Sequence, residues 1–368
     1  MYNVKELYIE MASFFSSINR SEDAVAALAQ MTNLNHSPTH KDCFDLLLKS
    51  LYSGDVRLLR VLGSWYLLNF DTVLPEGILN RFLQVSATIG DLELAKIAME
   101  LKEKYGYSVD SIDYICLTRA ATLSCDYVSI VEILIEAGKK GFDLYSLHPE
   151  LAGNLQLLLG KSFTSVYVLD QVYYEIIELF RQDNSLPVPI LAVNAIIVGA
   201  GKRGQLDRAF ATFKECQTLF KQPPSIFSYN SLLHAISLSR MPSVVNILSI
   251  FQEMEKDGIS PNSESVSILF IVMAETGDLK GFDEIYDLMK AKGIKPSEKS
   301  FRRVLISLSH KKEFAKLDQL IADHYSDSLL PDTVKSDVGQ PVGDLKRPKI
   351  PPFLRERLLK LREIISSN

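Results

Sequence analysis

Apolar residues recur along the chain in pairs of helical stripes that short polar breaks separate. In residues 263–297 the first stripe includes Ile268 and Val272, and Gly277-Asp278 interrupts it. A second apolar stripe follows at helical spacing, and Gly293 ends it, because the residue just past a helix often needs a positive φ. Each segment of this kind therefore predicts a hairpin of two helices, and no strand pattern competes with that interpretation.

The hairpin pattern repeats at a fixed interval. Pro261, Pro296 and Pro331 are spaced 35 residues apart, and the Gly three residues before the first two prolines recurs with them. A Gly-Asp pair marks a second point in the unit, at Gly54-Asp55, Gly90-Asp91 and Gly277-Asp278. The Asp of each pair is predicted to be the N-cap of the second helix. A period of this length indicates stacked helical repeats.

Both marks together predict nine units within residues 1–332. The units run 5–39, 40–75, 76–110, 111–145, 146–189, 190–225, 226–262, 263–297 and 298–332. The fifth unit is long and lacks both marks, so we expect it to be degenerate and locally irregular. Repeats of this kind bury their apolar stripes on their neighbours, and the 47% apolar content is sufficient for one continuous core.

Residues 333–368 differ in kind from the repeats. They hold eight Lys/Arg against four Asp/Glu, in a chain of net charge −5, so the repeat body carries about −9. An amphipathic helix is predicted near 353–366, and it is expected to cap the last repeat. The alternative is a basic arm that contacts RNA or a partner protein. The predicted tail contacts are Lys346, Arg347, Lys349, Arg355 and Arg357.

Several residues carry a resemblance to the pentatricopeptide repeat family. Ser228-Tyr229-Asn230-Ser231-Leu232-Leu233 is similar to the opening of that family's 35-residue unit, and Met254 to Asn262 is similar to its Met-x-x-x-Gly-x-x-Pro ending. The tetratricopeptide repeat is the nearest alternative, but its period is 34 and its Trp opens the unit, whereas Trp65 falls in a second helix. The resemblance implies an all-α, right-handed superhelical solenoid of helix-turn-helix repeats.

The resemblance also implies single-stranded RNA binding on the inner face, with one base per repeat. In the family, one residue of the first helix and the last residue of the unit contact the base edge. The corresponding pairs here are Asn80 with Asp110, Asn194 with Ser225, Asn230 with Asn262, and Ser267 with Ser297. Leu191 and Phe227, three positions before an Asn, are expected to stack on bases.

The base-reading position is not polar throughout. It is Ile9, Phe44, Ile115, Glu150 and Arg302 in five units, and apolar or bulky groups there do not read a base edge. Two functions therefore remain open. One is a non-catalytic RNA-binding protein of organellar RNA metabolism or translation. The other is a scaffold subunit of a large organellar ribonucleoprotein, such as a mitochondrial ribosome, contacting protein subunits and ribosomal RNA.

The sequence predicts neither an enzyme nor a cofactor, metal or small-molecule site. His36, His40 and Cys43 have helix-like spacing, but three lone ligands are more often structural. Gly199 to Gly204 is not a phosphate loop, because no strand precedes it. Four cysteines without CxxC spacing are expected to be reduced and mostly buried, and no apolar run is long enough for a membrane. The resemblance implies mitochondrial or plastid localisation, although the first residues do not look like a transit peptide.

Overall fold

The computed structural model describes residues 4–18, 20–69, 72–279 and 281–310, together with the single positions 313, 316 and 320. Within these ranges every regular element is a helix, so the predicted all-α repeat fold is confirmed. The chain divides into two compact units, Met1–Arg240 and Met241–Asn368. The predicted tail contacts and the predicted helix at 353–366 lie outside the described residues.

The N-terminal unit contains fourteen described helices. They are α1 (Val4–Ser17), α2 (Ser21–Asn33), α3 (His40–Ser53), α4 (Val56–Asn69), α5 (Glu76–Ile89), α6 (Leu92–Lys104), α7 (Ser111–Leu123), α8 (Tyr127–Lys139), α9 (Leu144–Leu147), α10 (Pro149–Ser162), α11 (Val166–Gln182), α12 (Ile190–Lys202), α13 (Leu206–Thr218) and α14 (Ile226–Leu238). The C-terminal unit contains α15 (Val244–Lys256), α16 (Ser263–Thr276), α17 (Phe282–Lys292) and α18 (Glu298–His310).

The helices of the N-terminal unit pack in two layers. The first helices of successive hairpins follow one another in one layer, in the order α1, α3, α5, α7, α10, α12 and α14. The second helices α2, α4 and α6 pack in a parallel series behind them, and α8 packs on α11. In the C-terminal unit, considered by itself, α16 packs on α18 and α15 packs on α16. Each helix thus buries one stripe on its hairpin partner and another on the next repeat.

The Gly-Asp mark ends one helix and starts the next. Gly90 has φ +85°, and its N–H donates to the Ser86 carbonyl at 2.8 Å, which closes α5. Asp91 then accepts the Leu94 N–H at 2.9 Å, so its predicted N-cap role is confirmed. The same prediction for Asp278 was wrong. An extra turn delays α17 until Phe282, whose N–H donates to the Leu279 carbonyl.

The first helices α10, α12 and α14 approach one another closely because glycines line their contacts. A Cβ on Gly160 would lie 2.7 Å from the Ala195 carbonyl oxygen, and a Cβ on Gly201 would overlap the Ala235 backbone. Any larger residue at these positions would force the helices apart. Gly199 and Gly201 therefore allow the close packing of these helices, and the polar residues of three repeats come near one another as a result.

The fifth predicted unit is where the helix pattern departs from simple pairs. The short helix α9 precedes α10, with only His148 between them, and α11 is 17 residues long. Asp143 begins α9, because its carboxylate accepts the backbone N–H groups of Tyr145 at 3.1 Å and Ser146 at 3.3 Å. This additional helix adds side chains beside the first-helix layer that a regular repeat does not have.

All four cysteines are free thiols. Cys43 and Cys216 are buried, and burial raises the pKa of each thiol to about 12. Cys125 is exposed, so the expectation of mostly buried thiols does not hold at that position. In the described residues, no helix has both the length and the apolar content needed to cross a bilayer.

Candidate nucleic-acid interface

The predicted first-helix readers occupy equivalent places in the fold. Asn80, Asn194, Asn230 and Ser267 are each the fifth residue of their helix, in α5, α12, α14 and α16. Asn194 is 0% exposed and Asn230 is 2% exposed, whereas Asn80 is half-buried. The first helices therefore place these polar groups at one register. At α12 and α14 the groups lie beneath other side chains rather than in open solvent.

The predicted partners at the ends of the units are helix caps. Asp110 accepts the Asp113 N–H at 3.0 Å, and Ser225 accepts the Ser228 N–H at 3.3 Å. Asn262 and Ser297 make the same contact with the N–H three residues on, at 3.0 Å and 3.3 Å. A small polar side chain is the standard N-cap, because it satisfies an otherwise unpaired backbone donor.

One predicted pair is in direct contact. In the C-terminal unit the Ser297 N–H donates to Ser267 Oγ at 2.7 Å, while Ser267 Oγ donates to the Ser263 carbonyl at 2.6 Å. Asn230 belongs to the N-terminal unit and Asn262 to the C-terminal unit. The base-reading roles of all four pairs stay predictions.

The most developed polar site lies across α10, α12 and α14. The Tyr145 ring of α9 stacks on Phe227, with ring centroids 4.3 Å apart and planes 21° apart. Its hydroxyl accepts the Asn194 Nδ2–H at 3.1 Å and donates to Gln156 Oε1. Gln156 Nε2 in turn donates to Ser231 Oγ at 2.7 Å. We call this set, Tyr145, Gln156, Asn194, Phe227 and Ser231, the three-helix site.

The sequence identified Asn194 and Phe227 in this site but missed the other three members. Tyr145 lies at a unit boundary, and Gln156 lies in the unit that lacks both repeat marks. The signal that was present is the irregularity of that unit, whose predicted start at residue 146 falls within α9. Leu191, the other predicted stacking residue, is 3% exposed and belongs to the core, whereas Phe227 is partly exposed.

Two amide oxygens in the first-helix layer have no hydrogen-bond partner. They are Asn194 Oδ1 and Asn80 Oδ1, and both atoms are buried. A buried acceptor without a donor costs about 1–3 kcal/mol, so each such atom calls for an explanation, such as a bound water or a ligand. Each oxygen can accept one more N–H, which is what the edge of a base provides.

Basic side chains lie at the C-terminal ends of the first helices. Lys202 Nζ donates to the Lys161 carbonyl at 2.6 Å, and Arg203 donates to the Phe163 carbonyl. Arg208 is engaged differently. Its guanidinium stacks 4.3 Å above the Tyr173 ring and lies 3.6 Å from Asp170. Lys202 and Arg203 thus remain next to the first-helix layer, whereas Arg208 belongs to an ion-pair cluster behind it.

The spacing of His36, His40 and Cys43 raised the alternative of a metal site. In the described part of the chain, no group of three or more His, Cys, Asp or Glu side chains is arranged to hold a metal ion. His40, one of the three candidate ligands, lies against the rings of Phe44 and Tyr66. Its surroundings are those of a packed aromatic residue.

Two family models match the chain. One, described as the pentacotripeptide-repeat region of PRORP, matches residues 193–326, and one for pentatricopeptide repeat-containing proteins matches residues 76–216. Together they span most of the helical repeats. The chain belongs to the pentatricopeptide repeat family.

Relatives of this pentatricopeptide repeat chain include two Arabidopsis thaliana proteins, both named as mitochondrial pentatricopeptide repeat-containing proteins. One is 24% identical over 253 residues, which is 66% of this chain and 34% of the relative. The other is 28% identical over 131 residues, 35% of this chain and 31% of the relative. The chain therefore spans about a third of the length of the curated relatives it matches.

Among solved structures, the pentatricopeptide repeat protein PPR10 from maize is similar. The comparison covers 88% of this chain and 49% of PPR10, with 17% identity and a TM-score of 0.39. PPR10 in complex with an 18-nucleotide psaJ RNA element gives 12% identity, a TM-score of 0.43, and coverage of 88% and 56%.

Proposed function

We propose that this chain is a non-catalytic RNA-binding protein of organellar RNA metabolism or translation, and that RNA lies along the layer of first helices. One observation carries the proposal. Asn194 holds a buried, unpartnered acceptor at the same helix register as Asn230, and the Tyr145 ring links this amide to the aromatic face of Phe227. An amide edge next to an aromatic ring is the combination that recognises single-stranded bases.

The parts of the site have distinct roles in this mechanism. The ring of Phe227 supplies a stacking surface, which is worth about 1–3 kcal/mol per base and does not depend on base identity. The amides of Asn194 and Asn230 donate and accept hydrogen bonds at the base edge, so they provide the discrimination. Lys202 and Arg203, at the ends of the first helices, attract the phosphates.

The names of the relatives bear on localisation. Both Arabidopsis relatives are named as mitochondrial, which supports mitochondrial residence for this chain. The scaffold function, with protein subunits and ribosomal RNA as partners, is the competing proposal. The deep burial of Asn194 and Asn230 favours it, because side chains at those positions can serve packing alone.

Binding of short RNAs by fluorescence anisotropy tests the proposal. The probes are 12-nucleotide homopolymers of U, C, A and G, titrated with the purified chain across a salt series. We expect pyrimidine RNAs to bind best, with affinity falling as salt rises, since phosphate contacts release counterions. The Asn230→Ala variant should weaken pyrimidine binding by about 5- to 150-fold, which corresponds to the 1–3 kcal/mol typical of a lost base contact.

Ile115 provides the matched control, because it is the fifth residue of α7 and occupies the same register. Ile115→Val removes a single methylene there and should leave RNA affinity unchanged. If both variants bind RNA measurably and lose equally little affinity, the chain contacts the sugar-phosphate backbone of the RNA and does not read its bases. Absence of binding to every homopolymer would reject the RNA-binding proposal and leave the scaffold function.

A further inference from the structure

The three-helix site has the form of a pocket that already holds an aromatic ring. Its walls come from three successive first helices, with Gln156 on α10, Asn194 on α12 and Phe227 on α14. Its occupant, Tyr145, comes from none of them and belongs to the four-residue helix α9. Tyr145 is 6% exposed, so its ring fills the space rather than covering the rim.

The contacts of Tyr145 are those a base would make. Its ring lies nearly parallel to Phe227 at stacking distance, and its hydroxyl reaches two amides at the far edge. Tyr145 does not make every contact that a base could make, however. The phenol oxygen satisfies Asn194 Nδ2 but leaves Asn194 Oδ1 without a donor. A pyrimidine presents an acceptor and an N–H side by side, and this edge can satisfy both atoms of the amide.

We propose that the three-helix site binds a pyrimidine base and that Tyr145 is its displaceable intramolecular occupant. This inference rests on the proposed RNA-binding function and adds a closed state to it. RNA reaches Asn194 and Gln156 only when α9 moves out and takes Tyr145 with it. The other first-helix positions have no such competitor from α9, so the site acts as a gated position within the array.

The segment that carries Tyr145 is short, and a turn and a single linking residue bound it. It lies between Gly141, whose φ is +82°, and His148, which joins it to α10. Besides the Tyr145 contacts, the segment is held by the buried side chain of Leu144, by the Phe142 ring, 5.7 Å from that of Tyr114, and by a 2.8 Å hydrogen bond between His148 Nε2 and Ser111 Oγ. Asp143 caps the helix from within the segment, so that contact survives the movement.

The closed state lowers the apparent affinity for RNA. A ligand that binds only the open state has its affinity reduced by the open fraction. The stacked ring and the two hydroxyl contacts together favour closure, and weakening them raises that fraction. Tyr145→Ala, which removes all three contacts, should therefore tighten oligo-U binding by about tenfold. Tyr145→Phe keeps the ring and loses only the hydroxyl, so it should tighten binding by about threefold.

The test is oligo-U binding by these two variants and by Tyr167→Ala as a control. Tyr167 is an exposed tyrosine of α11 outside the three-helix site, and its loss should leave affinity unchanged. Adding Asn194→Ala to Tyr145→Ala should abolish the gain, because the base then has no amide to reach. Tyr145→Phe preserves the packing, so it remains informative should the alanine variant unfold.

Hydrogen exchange of the wild-type chain supplies an independent readout. Bound oligo-U should speed exchange of the amides of residues 143–148, since the base takes the place of Tyr145 and releases α9. Oligo-U binding with unchanged or slower exchange there, or equal affinity of wild type and both Tyr145 variants, would overturn the proposal while leaving RNA binding intact. If no chain, variant or wild type, binds any RNA, the proposed function itself fails.

Discussion

The close approach of α12 and α14 makes Gly201 the position most sensitive to an added methyl group. A Cβ there would lie 2.5 Å or less from the Cα, C and O atoms of Ala235. Ordinary contact begins near 3.4 Å, so Gly201→Ala must move backbone, not a flexible side chain, by about 1 Å. The glycine thus sets the spacing of the two helices that carry Asn194 and Phe227.

The magnitude follows from two opposing effects. Replacing a helical glycine by alanine favours the helix by about 1 kcal/mol. Forcing an extra carbon into a packed contact typically costs about 1–3 kcal/mol, and the upper part of that range applies when backbone must shift. We expect Gly201→Ala to lower the free energy of unfolding by about 2 kcal/mol. The change should be local, because repeats couple chiefly to their neighbours.

Gly153 supplies the matched control on α10. It is helical, and a Cβ there would meet no atom within 4 Å. Gly153→Ala should therefore raise the free energy of unfolding by about 0.5–1 kcal/mol. Urea unfolding followed by circular dichroism at 222 nm measures both changes. A Gly201→Ala variant as stable as the wild type, beside a stabilised Gly153→Ala variant, would refute the close-packing argument.

Two further predictions concern charge inside the N-terminal unit. Lys102 is 1% exposed, and its ammonium lies 2.6 Å from Asp113. Lys102→Ala should therefore lower the free energy of unfolding, measured in urea, by about 3 kcal/mol. Adding Asp113→Ala to that variant should cause a smaller further loss, because the unpaired carboxylate is then removed. Burial, and then the nearby carboxylates of Glu132 and Asp126, raise the pKa of Glu175. Its ionisation therefore opposes folding above that pKa, so Glu175→Gln should raise the thermal midpoint at pH 7, with the gain vanishing as the pH falls below 4. An equal gain at both pH values would contradict this assignment.

Much of the fold was predictable because short-range sequence patterns determine it. A positive-φ Gly followed by an N-capping Asp is a short-range pattern, and Gly90-Asp91 matches it in both geometry and hydrogen bonding. Helical hairpins follow from apolar spacing in the same way. At Asp278 the local signal failed, because α17 begins only at Phe282, four residues further on. Nothing in the Gly-Asp pair itself specifies the length of that interval.

Contacts between repeats were harder to predict. The glycines of the Gly199–Gly204 segment are recognisable in the sequence. Whether one of them is needed for packing depends on which residues of the neighbouring first helices contact it. Gly201 needs Ala235, and Gly160 needs Ala195 and Val198. The stack of Tyr145 on Phe227 joins residues more than two repeats apart, and it exists only because α9 is inserted in an irregular unit. Periodicity describes what the units share, so it gives no information about an insertion that one unit has alone.

The ends of the units show why the base-reading pairs could not be settled from residue types. Asp110, Ser225 and Asn262 are the small polar residues that RNA reading calls for, and they are also what a helix N-terminus requires. Each already uses a side-chain oxygen to accept a backbone N–H. Capping alone therefore explains their presence, whether or not a base is ever bound.

The first-helix position is different, because no local rule requires an amide there. Asn194 lies in the interior of α12, where short polar side chains are not favoured by helix propensity, and it keeps an unpaired oxygen at a buried site. A residue selected for packing would be apolar, as Ile115 is at the same register of α7. The proposed function therefore assigns base recognition to the fifth residue of the first helices, and at α12 that residue donates to the Tyr145 hydroxyl.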